Sequence, residues 1–413
     1  MQKNKDIILF TYDYPFGKSE KTFLEYELPK LSENFENIEI ILQKKFSDES
    51  ILDKKLKNIK INKEFANQTK LTKYFIILIK NIIFDKLFWK EFSYILFKKN
   101  FFKKLKMSLN EIILSYILYN YLKERKYKSK KKIFYSFWSN FTLLAFSKLK
   151  KNLENSVFIS RALGSDLNGY IKNDNYVPYK KSKFSNLDKI ILLGEYQKKR
   201  LDNLNLNSSN IKVCPLGVFK QKNKIENINI NQKLVFLSCG NLIEIKNHFL
   251  MIDFLERVAK KINNKVEFIL IGDGHLKENI KSRLNNLNNL IDFKFYNYVE
   301  NLVEFISANK IDFFLNFSSQ EGMAFTIMES MSCGIPVIAS DIDSNKYLVN
   351  NNGYLFDLEN YKDSINEVIN QIIFDIKESE PYLNKSKKSY NFINNNLHNE
   401  KCFNKFKEMI NNI

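Results

Sequence analysis

The sequence predicts an α/β protein with two domains, each built around a doubly wound parallel sheet. Its 413 residues are enough for two domains of ordinary size, and 44% of them are hydrophobic, so each domain can bury a core. Short apolar runs alternate with amphipathic helical stretches along the chain, which is the pattern of parallel strands joined by helices.

The alternation is clearest in the second half. Predicted strands cover 234–238, 266–271, 293–296, 311–316 and 336–340, and predicted helices cover 248–262, 276–287, 299–308 and 325–333. The first half starts in the same way, with predicted strands at 7–12, 38–42, 133–137, 157–159, 189–193 and 211–213. Both halves therefore predict Rossmann-like domains.

We predict an N-terminal domain over 1–219, with an insert of about residues 51–131 that looks wholly helical. A second domain follows over 220–390, and the two join in the polar stretch 220–232. A C-terminal helix over 391–413 could pack back on the N-terminal domain. Such a pair is expected to leave a cleft between the carboxyl ends of the two sheets, where ligands of this fold class bind.

The charge of the chain is strongly positive, with 65 Lys and Arg against 46 Asp and Glu, a net charge of +19. A polyanionic partner such as nucleic acid or an acidic membrane would explain this balance. Abundant Lys, Asn, Ile and Phe with few Gly and Pro also indicate a general compositional bias, which we take as the simpler cause of the total. Since no nucleic-acid-binding motif is present, we expect no nucleic-acid partner.

The four cysteines, Cys214, Cys239, Cys333 and Cys402, are far apart and predict buried thiols in a reducing cytoplasm. Three histidines argue against a histidine-based metal site. The apolar stretch at the N-terminus is too short for a signal peptide. The best candidate for a membrane span, 74–97, is interrupted by charged residues. We therefore expect a cytoplasmic protein.

The most informative segment is SSQEGMAFTIMESMSCGIPVIAS, residues 318–340. A strand ends near Asn316, a turn containing Gly322 follows, and a short helix runs to Gly334 as its C-cap. Glu321, on the loop, can accept hydrogen bonds from sugar hydroxyls, and Glu329, about a turn inside the helix, can clamp the two hydroxyls of a ribose. A solvated helix also produces such a carboxylate pair. The first amides of the helix are placed to hold phosphate or sugar oxygens: Met323, Ala324, Phe325 and Thr326.

Glu321 and Glu329, with seven residues between them, resemble the E-x7-E signature of retaining GT-B glycosyltransferases of family 4, the glycosyl transferases group 1 that build bacterial surface polysaccharides. The flanking SMSCGIPVIAS is similar to the usual continuation in that family. The resemblance implies a GT-B fold, with Glu321 facing the donor sugar and Glu329 facing the ribose of the nucleotide. It covers most of the chain and is strongest over residues 234–357.

Three further segments resemble the donor domain of the same family. In 236–255 the family has Arg and Lys on the diphosphate; Lys246 stands at the second position and Asn241 at the first. An exposed surface lysine is the alternative interpretation of Lys246. In 267–280 the family has a strand that ends in a GxG turn beside the nucleotide, here Gly272 and Gly274. Downstream, the family often packs the base against positions that correspond to Tyr298 and Val299.

The N-terminal half resembles the family more loosely. Residues 159–170 correspond to a segment that usually reads R-A-H-G-x-D, and Leu163 stands where the family has its histidine. Arg161 and Asp166 remain as candidates for the sugar or acceptor side, although Asp166 serves equally well as a helix N-cap. The turn YPFGKSE, residues 14–20, resembles the first glycine loop of the family, which makes Gly17 and Lys18 candidates near phosphate and acceptor.

The resemblance implies transfer of a sugar from a nucleotide-diphosphate sugar to a glycan or lipid-linked acceptor, with retention of configuration. Lys246 and the helix amides would stabilise the leaving diphosphate, and neither a metal nor another cofactor is required. Asp341 and Asp343 spell a D-x-D, which we interpret as a loop at a strand end. The departures at Leu163 and Asn241 keep a catalytically impaired binding or scaffold protein as the alternative. A sugar-nucleotide epimerase or a phosphorylase of the same fold is a further alternative, but no additional catalytic side chains point to either.

The helical insert carries localised positive charge. Residues 86–108 mix aromatic side chains with lysines, and residues 124–132 form a compact basic cluster. This pattern suits an anionic membrane surface, and predicts peripheral association with the inner face of the membrane. An amphipathic core helix with a solvated lysine face is the alternative.

Overall fold

The computed structural model describes residues 6–17, 20–45, 50–52, 56–68, 81–125, 127, 131–153, 155–169, 174–221 and 233–413. The chain forms two compact units: the first comprises residues 1–215 and 403–413, and the second comprises residues 216–402. Each unit contains one parallel sheet. The predicted domains were 1–219 and 220–390, and residues 403–413 of the predicted C-terminal helix fall in the first unit.

The sheet of the first unit has seven parallel strands in the order β3-β2-β1-β4-β5-β6-β7. The strands are β1 (Asp6–Thr11), β2 (Asn37–Leu42), β3 (Ile59–Asn62), β4 (Lys132–Ser136), β5 (Val157–Ala162), β6 (Lys189–Leu192) and β7 (Ile211–Val213). The prediction of a wholly helical insert over 51–131 is wrong in its first part, because β3 lies there. Ile59 pairs with Ile38 of β2, so this short stretch extends the edge of the sheet.

Eight helices surround these strands or continue from them in the described part of the first unit. They are α1 (Lys21–Asn34), α2 (Glu64–Gln68), α3 (Lys86–Ile95), α4 (Phe101–Glu124), α5 (Thr142–Leu149), α6 (Ser165–Asn168), α7 (Lys180–Phe184) and, at the end of the chain, α15 (Asn399–Asn411), whose first residues belong to the second unit. The helical part of the insert is α2 to α4. The apolar inner faces of α3 and α4 pack with Leu144 of α5 and with Tyr179.

The sheet of the second unit has six parallel strands in the order β10-β9-β8-β11-β12-β13. The strands are β8 (Val235–Cys239), β9 (Val266–Ile271), β10 (Ile291–Tyr296), β11 (Phe313–Asn316), β12 (Val337–Ser340) and β13 (Tyr354–Phe356). The helices are α8 (His248–Ile262), α9 (Lys277–Asn285), α10 (Leu302–Ala308), α11 (Phe325–Ser332), α12 (Asp343–Val349), α13 (Tyr361–Glu378) and α14 (Glu380–Asn396). Helix α8 has the predicted bounds, because its apolar residues recur along one buried face.

The strand order reverses between β8 and β11, since the chain leaves β8 toward β9 on one side and reaches β11 on the other. In doubly wound sheets, ligands bind outside the carboxyl ends of the strands at such a reversal. The same reversal occurs between β1 and β4 of the first unit. The fold therefore predicts ligand-binding loops after β8 and β11 in the second unit. It predicts the same for the loops after β1 and β4 in the first unit.

None of the helices in the described ranges is both long enough and apolar enough to cross a membrane. Part of the candidate span 74–97 lies outside the described residues, and α3 covers 86–95 of it. All four cysteines are free thiols, as predicted; three are buried, and Cys239, at the end of β8, is partly exposed.

Candidate functional site

Three loops of the second unit come together at the carboxyl ends of β8, β9 and β11. The loop after β8 donates from the Gly240 amide to the Ile271 carbonyl at 2.9 Å and from the Leu242 amide to the Asp273 carbonyl at 2.9 Å. The loop after β11 donates from the Ser319 amide to the Ile245 carbonyl at 2.8 Å. These backbone bonds hold the predicted donor-binding segments against one another.

The two glycines of the GxG turn make this close approach possible. A Cβ atom on Gly272 would lie 1.9 Å from the Gly240 carbonyl oxygen, and one on Gly274 would lie 2.4 Å from the Leu242 carbonyl oxygen. Both glycines also have positive φ, +153° and +157°, which disfavours any side chain. The turn is therefore a contact between two backbones that only glycine permits.

We expect Gly272→Ala to lower the free energy of unfolding of the second unit by about 3 kcal/mol, since the added methyl group overlaps a backbone oxygen at a strained φ. The matched control is Gly240→Ala, where the Cβ meets only the Lys246 side chain, at 3.6 Å. This control should change stability by less than about 1 kcal/mol. Urea unfolding followed by circular dichroism compares the two variants. Equal midpoints would contradict the proposed backbone contact.

Lys246 and Glu321 form an ion pair at the centre of these loops. Lys246 ends a short 3-10 turn, and Asn247 follows it with a φ of +52°, so the chain reverses before α8 begins. Both side chains are mostly buried, with exposed fractions of 20% and 14%. The oxygen of Glu321 that meets Lys246 also accepts a hydrogen bond from Ser318 Oγ at 2.8 Å. Two predicted site residues are thus in direct contact.

A buried polar network fixes the loop that carries Glu321. Ser340 Oγ donates to the Ser318 carbonyl at 2.5 Å, and Asn345 Nδ2 donates to the Ser340 carbonyl at 3.1 Å. Asn316 Nδ2 reaches Glu321 at 3.4 Å. None of these supporting residues was predicted from the sequence. The polar Asn316 and Ser318 at the end of an apolar strand were the available signal, whereas Asn345 lies on α12, which was not predicted.

Glu329 lies half-buried on α11, and its carboxyl group has no hydrogen-bond partner among the described residues. Burial raises its pKa to about 7. The thiol of Cys239, at the end of β8, has its pKa raised to about 12 by burial and then by the charge of Glu329. Glu329 therefore lies near the carboxyl end of β8, at the same edge of the sheet as Lys246.

Helix α11 begins beside these residues without a side-chain cap. Its N-cap, Ala324, has an extended backbone, and the Met328 amide donates to the Ala324 carbonyl at 3.2 Å. The helix ends at Ser332, and Gly334 follows with a φ of +81°, as expected for a glycine that ends a helix. The positive end of the helix dipole is thus directed toward the loop of Gly322 and Met323.

The remaining donor-side candidates lie at the surface of the second unit. Asn241 is exposed, Tyr298 is more than half exposed, and Val299 is partly buried. The turn that carries Tyr298 follows β10, which adjoins the GxG turn because the Gly272 amide donates to the Tyr296 carbonyl at 2.8 Å. His248, next to the site, has its pKa lowered to about 4 by burial and then by the charge of Lys246, so it is neutral at pH 7.

In the first unit, Glu20 organises the glycine loop after β1. Its carboxylate accepts hydrogen bonds from the amides of Tyr12, Asp13 and Tyr14 at 2.8, 3.0 and 2.9 Å, and from Trp138 Nε1 at 2.6 Å. A Cβ on Gly17 would lie 2.2 Å from the Asp13 side chain, so this turn also requires glycine. Glu20 was not predicted from the sequence as a site residue. Lys18 lies outside the described residues.

Arg161 does not face a ligand-accessible surface, which corrects its prediction as a sugar- or acceptor-side residue. It is 1% exposed. Its guanidinium donates to Tyr135 Oη at 3.0 Å, to the Cys214 carbonyl at 2.9 Å and to Glu27 at 2.8 Å. These hydrogen bonds hold the guanidinium inside the first unit, where it stabilises the core.

Asp166 is not a helix N-cap, contrary to the alternative considered above. The cap of α6 is Gly164, and Asp166 lies in the first turn of the helix. Its carboxylate accepts hydrogen bonds from the amides of Leu163 and Ser139 at 3.1 and 3.2 Å. Burial raises the pKa of Asp166 to about 6. Asp166 therefore links the loops after β4 and β5.

Asp166 also lines a cavity of about 450 Å³ within the first unit. Trp138 and Tyr176 are among its other lining residues. Lys183, which is 2% exposed, also lines it and pairs with Glu111 at 2.8 Å. This cavity combines aromatic surfaces with buried charges at the carboxyl edge of the sheet.

Comparison with known proteins agrees with the fold. Residues 219–389, which lie within the second unit, match the model of the family described as "Glycosyl transferases group 1". The matched residues include the three converging loops, and the match agrees with the predicted resemblance to glycosyl transferases group 1.

Several named relatives share part of this sequence. The UDP-Gal:alpha-D-GlcNAc-diphosphoundecaprenol alpha-1,3-galactosyltransferase of Escherichia coli is 31% identical over 159 residues, which are 36% of this chain and 38% of that protein. The N-acetylgalactosamine-N,N'-diacetylbacillosaminyl-diphospho-undecaprenol 4-alpha-N-acetylgalactosaminyltransferase of Campylobacter jejuni is 26% identical over 166 residues, 40% of this chain and 43% of that protein. The chain spans between about a quarter and just over half of the length of the curated relatives it matches.

Solved structures extend the similarity to the whole fold. The lipopolysaccharide outer core galactosyltransferase WaaB in its apo form has a TM-score of 0.67 at 16% identity, over 99% of each chain. TarM has a TM-score of 0.67 at 16% identity, over 98% of each chain. Anabaena Alr3699/HepE in complex with UDP and glucose has a TM-score of 0.66 at 12% identity, over 99% of this chain and 100% of that one. The predicted GT-B fold is confirmed.

Proposed function

We propose that the protein transfers a sugar from a nucleotide-diphosphate sugar to a glycan or lipid-linked acceptor, with retention of the anomeric configuration. One observation carries the proposal: Lys246, Glu321 and Glu329 lie together at the carboxyl ends of β8 and β11, within the segment that matches the family model. The two relatives named above act on diphospho-undecaprenol-linked sugars, which supports a lipid-linked acceptor.

The donor diphosphate is proposed to bind between Lys246 and the start of α11. A leaving diphosphate gains negative charge, so a fixed ammonium and helix amides near it lower the barrier. In the structure, Lys246 is paired with Glu321. A diphosphate beside Lys246 would compete for this ammonium, and the released oxygen of Glu321 could then accept a hydrogen bond from a sugar hydroxyl.

The nucleotide ribose is proposed to bind Glu329. A half-buried carboxyl group without a partner is costly, and two ribose hydroxyls would satisfy it. Tyr298 and Val299, after β10, are the proposed neighbours of the base. The acceptor is proposed to bind the first unit, where the Gly17 loop and the Asp166 cavity lie at the carboxyl edge of its sheet.

The chemistry that we propose needs no metal. The acceptor hydroxyl attacks on the face that the diphosphate leaves, and a phosphate oxygen takes its proton. Asp341 of the D-x-D pairs with Lys346 at 3.0 Å, and Asp343 is the first residue of α12. The three-residue D-x-D therefore ends inside a helix rather than wholly in a loop, and a lone carboxylate pair makes a weak cation site.

Nucleotide affinity is expected to rise with pH around neutrality, because hydroxyl groups donate more strongly to an ionised Glu329. Burial raises the pKa of Glu329 to about 7, so ionisation is incomplete at pH 6 and nearly complete at pH 8. The same raised pKa means that ionisation destabilises the folded protein as pH rises from about 4.5 to above 7, by at most about 3 kcal/mol.

Glu329→Gln separates the two effects. At pH 8 this variant should be more stable than the native protein, and at pH 5 about equally stable. Its nucleotide affinity should be low and independent of pH between 6 and 8. Calorimetric titration of a nucleoside diphosphate at three pH values measures the affinity. A native affinity that does not change over this range would contradict the proposed role of Glu329.

Turnover tests the function itself. We expect one member of a panel of UDP-, GDP-, CDP- and ADP-sugars to release its nucleoside diphosphate in the presence of the protein, slowly with water and faster with the correct acceptor. Binding of a nucleoside diphosphate without any release from its sugars would instead support the catalytically impaired alternative, in which Leu163 and Asn241 mark a lost activity.

A further inference from the structure

A helical hairpin of the first unit exposes large aromatic side chains to solvent. It comprises residues 83–106, that is α3 with the three residues before it, the turn that follows and the start of α4, and we call it the aromatic hairpin. Phe84, Phe97 and Phe102 are 82%, 93% and 83% exposed. Trp89 and Tyr94 are about half exposed on the outer face of α3. Folded proteins seldom leave so many large apolar side chains together in water without a use for them.

The aromatic hairpin is firmly attached to its unit. The Asp85 carboxylate caps α3 through the Leu87 amide at 2.8 Å and accepts hydrogen bonds from Tyr116 at 2.6 Å and Lys148 at 3.1 Å. On the inner face, Phe88 and Ile95 are buried in the unit. The exposed rings therefore project from a helix that is firmly packed on the first unit. One face of α3 packs on the core, and a different apolar face is exposed to solvent.

Charge is segregated across the aromatic hairpin. Residues 83–106 contain seven lysines and two acidic residues, a net charge of +5. Both acidic residues are engaged by the unit: Asp85 as described, and Glu91 by a hydrogen bond from Tyr176 at 2.6 Å. Lys104 is buried and pairs with Asp174 at 2.8 Å. The other six lysines are exposed: Lys86, Lys90, Lys98, Lys99, Lys103 and Lys106.

The exposed cations and rings share one surface. Lys86, Trp89, Lys90 and Tyr94 are all exposed along α3, and the exposed Phe97 lies in the turn directly after it. Lys98 Nζ lies 5.4 Å from the centre of the Tyr94 ring. The surface thus alternates apolar rings with ammonium groups, as interfacial helices do, and matches a layer in which phosphates overlie hydrocarbon.

We propose that the aromatic hairpin docks on the surface of an anionic lipid bilayer, with Phe97 and Phe102 at the boundary between headgroups and acyl chains and the lysines on lipid phosphates. A bilayer fits this surface because rings that are more than four-fifths exposed need a fluid apolar phase to be covered, while the lysines need many anionic partners. The inference goes beyond the donor site and does not depend on it.

Co-sedimentation with vesicles tests the inference on the full chain. We expect binding to phosphatidylcholine vesicles that contain phosphatidylglycerol at low salt, and little binding to pure phosphatidylcholine. Phe97→Ser/Phe102→Ser should reduce the bound fraction at least about tenfold. Its matched control is Phe219→Ser/Phe374→Ser, two phenylalanines that are 57% and 58% exposed in the second unit, which should bind like the native protein.

A second pair of variants tests the charge. Lys86→Gln/Lys90→Gln/Lys98→Gln should lose binding, whereas Lys362→Gln/Lys387→Gln/Lys388→Gln, with the same loss of charge in the second unit, should retain it. Thermal midpoints confirm folding of each variant, and stabilisation by a nucleoside diphosphate reports on the donor site separately. Absence of binding to anionic vesicles, or equal losses in each variant and its control, would overturn the inference.

Discussion

Glu321→Gln is expected to reduce the turnover of the donor by about a hundredfold or more while leaving the fold intact. The Glu321 carboxylate accepts hydrogen bonds from Ser318 and Asn316 and pairs with Lys246. The proposed donor site places it beside the sugar and the leaving diphosphate, where charge develops. The amide keeps the shape and removes the charge. Because both side chains of the ion pair are mostly buried, loss of the charge should also cost about 1–3 kcal/mol of stability, which leaves the protein folded.

Glu278→Gln is the matched control for this substitution. Glu278 lies on α9 of the same unit, is mostly exposed, and forms a surface pair with Lys281 at 3.1 Å. The control should keep native turnover and native stability. Donor turnover and thermal midpoint are measured on both variants. If Glu321→Gln retains native turnover, the assignment of Glu321 to the donor site is wrong.

Arg161→Leu should produce the largest loss of stability, about 3–5 kcal/mol in the first unit. The substitution leaves Glu27 buried with an unpaired charge and leaves the Cys214 carbonyl without its donor. Burial already raises the pKa of Glu27 in spite of Arg161, and loss of the guanidinium would raise it further. Ionisation of Glu27 then destabilises the fold more as pH rises, so the deficit should be larger at pH 8 than at pH 5.

Tryptophan fluorescence measures this effect in the first unit alone, because both tryptophans of the chain, Trp89 and Trp138, lie there. The double variant Arg161→Leu/Glu27→Leu removes both charges and should recover much of the lost stability. If Arg161→Leu unfolds at the same urea concentration as the native protein, the buried pair of Arg161 and Glu27 does not stabilise the unit. The predicted contact of Arg161 with a ligand would then be the better explanation of this residue.

The sequence predicted the second unit well because its signals are local. Each of the strands β8 to β12 is a short apolar run and α8 has one apolar face, so these elements and their order could be predicted directly. The resemblance assigned Lys246 and Glu321 to one donor site, whereas their direct ion pair is known only from the structure. What the sequence did not show is how Glu321 is held, because Ser340 and Asn345 reach its loop only through tertiary packing.

The first unit was predicted less well, for physical reasons that individual residues show. Strand β3 has four residues and is specified by pairing with β2 rather than by its own pattern. Arg161 lies in a motif that suggests ligand binding, yet the unit buries its side chain with Glu27, and a charged pair so far apart in sequence cannot be recognised without the fold. The structural role of Glu20 was not predicted because most of its partners are backbone amides, which cannot be identified from residue types.

Thermal stability against a panel of UDP, GDP, CDP and ADP tests the central claim most directly. A ligand at about a hundred times its dissociation constant adds roughly 2.7 kcal/mol, which should raise the midpoint of the second unit by about 5–10 °C. We expect one nucleoside diphosphate to do so, Lys246→Ala to remove most of the shift, and Lys260→Ala, an exposed lysine of α8, to retain it. The account is contradicted if no nucleoside diphosphate stabilises the protein, or if Lys246→Ala is stabilised as strongly as the native chain.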